Sequence, residues 1–421
     1  MSMRAMGSQV PEHPLDRVLD GRMCAGCGAC AYLADEVEMV DLPHIGRRPV
    51  GVRALPIMVK DQIYSVCPGA AVRSPGEKVA PSNSAELLVG PVKEVWEGWA
   101  SDAETRRGAS SGGIISALAT YCVEQLGMRL VVHTGMEKAE PWTNSTVVSS
   151  DRAGILGNSG SRYAPSSPVE ALREIEASDR PCVFIGKPCD VAAVRELRRT
   201  RPQLDRNLGL VLSFFCAGTP ASAGTLHVAE HLGFHDPSSI ESIKYRGDGW
   251  PGRFRVRDSA GEHGSLSYEE SWGMLARQHR QLRCHMCPDG LGELSDITGG
   301  DAWHRKAEGG DGVSLVLART ELGRRTVLQA EAAGYLTLAP SDVQKVVDAQ
   351  GLVARRELIT PRLAALRLMG LPVPSYPGFR LWRASLSIGP LKFVREFLGT
   401  LSRAVMRGYR RPEQEEEKEA Q

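Results

Sequence analysis

Ten cysteines stand in this chain of 421 residues, and eight of them sort into two sets of four whose spacing suits iron-sulfur ligation better than disulfide pairing. In the first set Cys24, Cys27 and Cys30 follow one another at two-residue gaps, and Cys67, followed at once by Pro68, closes the set. Three thiolates so spaced can curl round one corner of a 4Fe-4S cubane, with Gly26 and Gly28 letting the backbone approach the sulfides. One run of this kind implies one cluster. A structural zinc site is the competing reading, because Cys-x2-Cys is also a zinc element. The third cysteine at the same spacing has no place in such a site and favours iron and sulfide. The chemistry of the set is then electron transfer.

The second set is dispersed: Cys189 in Gly-Lys-Pro-Cys-Asp, Cys216 in Phe-Phe-Cys-Ala-Gly, and the pair Cys284 and Cys287 before Pro288. Cys189 and Cys216 each follow an apolar run, Pro181–Ile185 and Leu208–Phe215, which reads as a buried strand. That places both cysteines at strand C-terminal ends, where open α/β sheets form their ligand crevice. Taken singly, each is more commonly a small buried hydrophobe; only with the Cys-x2-Cys pair do they make a tetrad, and spacing alone leaves both readings open. Cys122 and Cys182 lie inside apolar helix and strand patterns and read as packing residues.

The elements that must position these groups alternate between strand and helix, which indicates an α/β fold. Residues 1–19 read as a flexible amino terminus, 20–75 as a ferredoxin-like 4Fe-4S module, and Ser74–Ser84 as a Ser- and Pro-rich linker. A second domain spans 90–355. It opens on the strand pattern Val92–Trp99, then Ser110-Ser-Gly-Gly113 leads into an apolar helix over Ile114–Leu126, with Ile114, Leu118 and Tyr121 on one face. Free N–H groups at that start favour an anion such as a phosphate, although an ordinary capped helix accounts for the same residues. Further helices are expected at Pro168–Glu176 and after Asp190. Glycine-rich loops Arg246–Gly252 and Thr298–Trp303 flank the Cys284/Cys287 pair, with Trp for stacking and Arg for a phosphate or carboxylate. No Gly-x-Gly-x-x-Gly lies between a strand and a helix, so a Rossmann dinucleotide site is not indicated.

Ser111-Gly-Gly-Ile-Ile, Gly160-Ser-Arg-Tyr-Ala-Pro-Ser, Lys187-Pro-Cys-Asp, Phe215-Cys-Ala-Gly, Cys284-His-Met-Cys-Pro and Leu294-Ser-Asp-Ile-Thr-Gly-Gly-Asp-Ala-Trp occur in that order. In this the chain resembles the beta subunits of coenzyme F₄₂₀ hydrogenases and dehydrogenases, with relatives such as plant 7-hydroxymethyl chlorophyll a reductase. The resemblance implies an α/β flavin domain binding FAD and a second 4Fe-4S cluster on Cys189, Cys216, Cys284 and Cys287. Candidate FAD contacts under it are Ser111, Gly112 and Gly113 at the helix start, Ser161, Arg162 and Tyr163 in the loop, and Asp296, Gly300 and Asp301. Lys187, beside Cys189, is the candidate catalytic residue, able to set a potential or hold an anionic substrate; the plain alternative is a solvated loop lysine. The expected enzyme is an FAD-dependent iron-sulfur oxidoreductase. It would pass electrons between a ferredoxin-like donor or acceptor, two 4Fe-4S clusters, FAD and a hydride-exchanging organic substrate such as coenzyme F₄₂₀. Two alternatives compete: a non-catalytic electron-transfer subunit or redox sensor of a larger complex, and a zinc-binding interaction protein.

With 51 basic and 50 acidic residues the net charge is +1, which gives no support to nucleic acid as a partner. The amino terminus lacks the apolar stretch of a secretion signal, and no run reaches the length of a membrane span, so a cytoplasmic protein is expected. Residues 360–421 read as a basic amphipathic helical tail with an acidic end. Arg380 to Arg411 holds eight basic residues and one acid, Glu396, while Leu391, Val394, Leu398, Leu401 and Val405 recur at helical spacing. That stripe is expected to dock on the protein's own core or a partner, the inner membrane face being the other possibility. Glu413–Glu419 reads as a solvated end.

Overall fold

The computed structural model describes residues 13–75, 81–308, 310–411 and 413. The first described element is the helix Pro14–Asp20, so part of the stretch expected to be flexible is helical; residues 1–12 lie outside the described ones. The helix Ala29–Leu33, the antiparallel hairpin β1 (Glu38–Leu42) and β2 (Gly46–Val50), and the helix Ile57–Val66 complete the amino-terminal segment.

An eight-stranded mixed sheet forms the body. Its strands are β3 (Glu94–Ala100), β4 (Val131–Met136), β5 (Asn144–Ser149), β6 (Cys182–Gly186), β7 (Leu208–Phe214), β11 (Ile297–Asp301), β12 (Ser314–Ala318) and β13 (Leu336–Ser341). In between, β8 (Ile240–Lys244), β9 (Arg253–Asp258) and β10 (His263–Ser267) make a small antiparallel sheet. The large sheet runs β13-β3-β12-β11-β7-β6-β4-β5. Its middle four strands, β11, β7, β6 and β4, are parallel, and both flanks are antiparallel. Central strands covered on both faces should read as continuous apolar runs, and Cys182-Val-Phe-Ile and Leu208-Gly-Leu-Val-Leu do. Because β6, β7 and β11 run the same way, the residues after each of them emerge at one edge of the sheet.

One hydrophobic core joins distant parts of the sequence. Val18, Met23, Tyr32 and Val66 of the amino-terminal segment pack with Val191, Val194 and Leu197 of the helix Pro188–Thr200 and with Ile359, Leu363 and Leu366 of the helix Ala354–Leu368. The start of the expected linker is pinned rather than loose: Val72 and Ser74 donate backbone bonds to Ser375 and Pro377, at 2.9 and 3.0 Å. Residues 76–80 of that stretch lie outside the described ones.

The carboxy-terminal helices are Leu381–Leu386 and Gly389–Met406. The second is the basic helix expected, but it docks with a different face. Thr400 and Ala404 are buried, whereas Leu391, Val394, Leu398 and Val405 are 53–88% exposed. A small-residue face lets the helix sit close to its neighbour, which the branched stripe would prevent. Glu413 also departs from expectation: it is buried, and its carboxylate takes two bonds from Arg48, at 2.6 and 2.8 Å. Residues 414–421 of the acidic end lie outside the described ones.

Candidate redox site

Cys24, Cys27, Cys30 and Cys67 line one small cavity together with Met39, Pro49, Ile63 and Pro68. Local structure sets this up. Gly26 and Gly28 take left-handed backbone angles, φ 65° and 94°, turning the chain between successive cysteines. A Cβ on Gly28 would stand 2.6 Å from the Ser167 carbonyl oxygen, so only glycine lets the run lie against the body. Cys30 sits in the helix Ala29–Leu33, and Cys67 caps the helix Ile57–Val66. Burial raises the Cys67 thiol to about 11, reinforced by Cys24, and raises Cys24, Cys27 and Cys30 as well. Without a cation these thiols stay neutral; a bound cluster would hold them as thiolates.

The second set converges from three places. Cys189 lies in the first turn of the helix Pro188–Thr200 after β6, Cys216 follows β7, and Cys284 and Cys287 come from the short helix Leu282–His285 and the residues after it. The Thr219 N–H donates to Cys284 Sγ at 3.3 Å, and the Cys216 N–H to the Gly290 carbonyl at 2.8 Å, tying the segments together. Burial pushes Cys216 up to about 12, with Cys284 adding to it, and raises Cys189 beside Asp190, Cys216 and Cys287. Among the described residues, no three His, Cys, Asp or Glu side chains stand where they could hold a single metal ion.

Cations lie beside both sets, Arg283 and Lys187 buried and Arg355 half-buried. Arg283 is 3% exposed and belongs to neither set alone. It precedes Cys284, its Nη2 donates to the Pro68 carbonyl beside Cys67 at 2.8 Å, and its guanidinium lies 5.7 Å from the Tyr376 ring centre. Covalent bonds and one hydrogen bond therefore run from Cys67 through Pro68 and Arg283 to Cys284. Burial raises the thiols of Cys24, Cys67 and Cys287, and the Arg283 charge opposes that rise at each. Arg355 donates to the carbonyls of Cys216 and Ala217 at 2.7 and 3.0 Å. Lys187 is 6% exposed, and its three protons go to Asp190 (2.8 Å) and to the Ser166 carbonyl and hydroxyl (3.0 Å each). Burial opposes its charge, yet Asp190 and Cys189 hold its pKa above the ordinary lysine value. It is no solvated loop lysine, and what it offers its neighbours is charge. Asp190 and Asp289 are buried too; Asp289 accepts backbone N–H groups of Leu291 and Glu293. Four thiols per set, ringed by arginine and lysine, suit an anionic thiolate-bound cluster.

Loops expected to hold FAD come together in part. Ser110–Gly113 meets Gly160–Ser161 through the Ser161 N–H and Ser110 Oγ (2.5 Å), and meets Ser314 through Ser111 and Gly112 (2.9 Å each). The Arg246–Gly252 loop joins them, Asp248 N–H bonding the Arg107 carbonyl at 2.9 Å. Beside it Arg246 makes a paired bond to Asp301 at 2.8 and 2.7 Å, and Trp250, Trp303 and Tyr268 form a stacked wall. Tyr163 packs against Trp272 in the same region. Three other candidates have structural duties. Arg162 is clamped by Asn144 and the carbonyls of Pro141, Thr143 and Ile243. Gly300 leaves room for Phe215, whose ring would lie 2.1 Å from a Cβ. Asp296 holds the Val211 N–H and the Thr320 hydroxyl, each at 2.9 Å, at the opposite end of β11 from Asp301.

A family model described as the N-terminal part of the coenzyme F₄₂₀ hydrogenase/dehydrogenase beta subunit matches residues 95–173, and one for its C terminus matches 179–344. Together they span more than half of the chain. The chain belongs to this family. The coenzyme F₄₂₀ hydrogenase subunit beta of Methanothermobacter thermautotrophicus is 25% identical over 302 residues, covering 68% of this chain and 100% of that protein. One of the subunits of the F₄₂₀H₂ dehydrogenase of Methanosarcina mazei is 24% identical over 315 residues, 73% of this chain and 82% of that protein. A chain of the solved F₄₂₀-reducing NiFe hydrogenase complex from Methanosarcina barkeri aligns with TM-score 0.49 at 23% identity, over 60% of this chain and 84% of that one. Both matched family regions begin after the first cysteine set, at residues 95 and 179. The sequence reading missed Arg283 and Arg355. Arg283 carried one signal, its place directly before Cys284; Arg355 carried none, being far from every motif.

Proposed function

We propose that the chain is an iron-sulfur flavoprotein oxidoreductase that passes electrons between a ferredoxin-like one-electron carrier and a hydride-exchanging organic substrate such as coenzyme F₄₂₀. What supports this reading is that Cys24, Cys27, Cys30 and Cys67 line one small cavity, that Cys189, Cys216, Cys284 and Cys287 come close enough to act on one another's thiols, and that Arg283 reaches toward both groups. Cys24, Cys27, Cys30 and Cys67 would hold one 4Fe-4S cluster, and Cys189, Cys216, Cys284 and Cys287 the other. Ser111, Gly112, Gly113 and Ser161 would hold the phosphates of FAD, with the Trp250–Trp303 wall beside them. Bound there, clusters carry single electrons and FAD exchanges them for a hydride. The chain's own part is to fix these groups, keep water from the thiols, and set their charge with Arg283, Arg355 and Lys187.

Anaerobic purification with iron, sulfide, zinc and flavin quantification tests this directly. About eight irons and one FAD per chain are expected. Zinc without iron or flavin would sink the reading. The second reading, an electron-transfer subunit or sensor that turns over no substrate, draws on relatives that are named as subunits. F₄₂₀ reduction by the isolated, loaded chain separates the two.

A further inference from the structure

The helix Gly389–Met406 rests on the helix Ala354–Leu368 by one narrow face. Ala404 shares a core with Ile359, Leu363 and Leu366, and Arg362 donates to Glu396 at 2.7 Å. On another face Leu391 (88% exposed), Val394 (53%), Leu398 (57%) and Val405 (69%) form a row facing water. At 3.6 residues per turn these four fall within about 60° of arc. The preceding helix Leu381–Leu386 adds Trp382 and Leu386, 63% and 64% exposed and one turn apart. Single exposed apolar residues are ordinary; six on two successive helices mark a contact surface.

Charge says which contact. The only acid between Arg380 and Arg411 is Glu396, and it is engaged by Arg362 and by Arg403 at 3.0 Å. Lys392 and Arg395 are exposed; Arg395 lies beside the apolar row, about 40° round the helix from Leu391, and Lys392 about 100° round, between the row and the docked face. An apolar strip with a tryptophan, edged by cations, is the pattern of a helix lying in the interface of an anionic bilayer. Among the described residues no helix is long and apolar enough to cross a membrane, so the geometry is one of lying flat. We propose that Trp382, Leu386, Leu391, Val394, Leu398 and Val405 seat the protein on an anionic lipid surface, with Lys392 and Arg395 at the headgroup phosphates.

Flotation of the purified full chain with phosphatidylcholine vesicles, with and without phosphatidylglycerol, tests this. The chain should float with the phosphatidylglycerol vesicles. Binding should fall about tenfold at raised ionic strength, and as far in Leu391→Glu/Leu398→Glu and in Lys392→Glu/Arg395→Glu. All four positions are exposed, so the melting temperature of both variants should match the parent. Failure to float on phosphatidylglycerol vesicles, or equal flotation on phosphatidylcholine alone, overturns the proposal. So does a dimer in size exclusion that Leu391→Glu/Leu398→Glu dissolves, because a second copy would then cover the row.

Discussion

The two cysteine sets differ in how they are built. In the first, three cysteines lie within seven residues and the fourth caps a helix of the same segment, so short-range turns at Gly26 and Gly28 shape most of the cavity. In the second, the cysteines come from three stretches separated by tens of residues, and they meet because parallel strands β6 and β7 deliver Cys189 and Cys216 to one sheet edge. A local set depends on backbone angles and a dispersed one on topology. The first should therefore fail by local strain, and the second together with the fold around it.

Replacing one cysteine of either proposed ligand set gives the largest expected effect. Cys27→Ser and Cys216→Ser should each remove about four irons, leaving the other set filled. Iron analysis with the spectrum of the remaining cluster checks this, and a Cys27→Ser protein lacking both clusters would show that the sets are not independent. Lys187→Ala comes next. It leaves Asp190, which is fully buried, without its cation and should destabilise the fold by about 3–5 kcal/mol in urea unfolding, a loss that adding Asp190→Asn largely reverses. Gly28→Ala acts on the first set alone. A φ of 94° and a Cβ 2.6 Å from the Ser167 oxygen should cost about 1–3 kcal/mol and weaken iron retention there, with the second set unaffected.

Arg283→Gln is the smallest and the sharpest. Glutamine removes the charge but is about two bonds too short for the Pro68 carbonyl, so Arg283→Lys, which keeps a cation and a donor, is the control that separates charge from the bond. A fixed positive charge favours the electron-rich form, and without it both cluster potentials should fall by on the order of 60 mV, the equivalent of tenfold for a one-electron couple. EPR-monitored redox titration reads each cluster separately. A fall at only one would assign Arg283 to that set and break the symmetry between them.

Much of the site was legible because its signals are local. Cysteine spacing marked the first set, and the apolar runs before Cys189 and Cys216 placed both after strands, as β6 and β7 show. Glycine and serine runs marked Ser110–Gly113 and Gly160–Ser161, which do meet. Arg162, Asp296 and Gly300 stood in equally suggestive motifs, and their partners are protein atoms. No residue type distinguishes a cofactor contact from a buried clamp; that depends on which groups the fold sets opposite. The carboxy-terminal helix makes the same point in reverse, since its apolar stripe was plain while the docked face, built on Thr400 and Ala404, had no hydrophobic signature.

By itself the sequence determined the thiol inventory, the turn glycines of the first set, the α/β alternation and the strong apolar runs of the central strands. These follow from spacing and periodicity, which act over a few residues. Tertiary structure alone decided that the cysteines of the second set approach one another, that Arg283 joins Cys284 to Pro68, that Lys187 is buried against Asp190, and that a row of apolar side chains faces outward. Each depends on long-range packing, where strand order and the choice of docking face bring together residues that no local pattern relates.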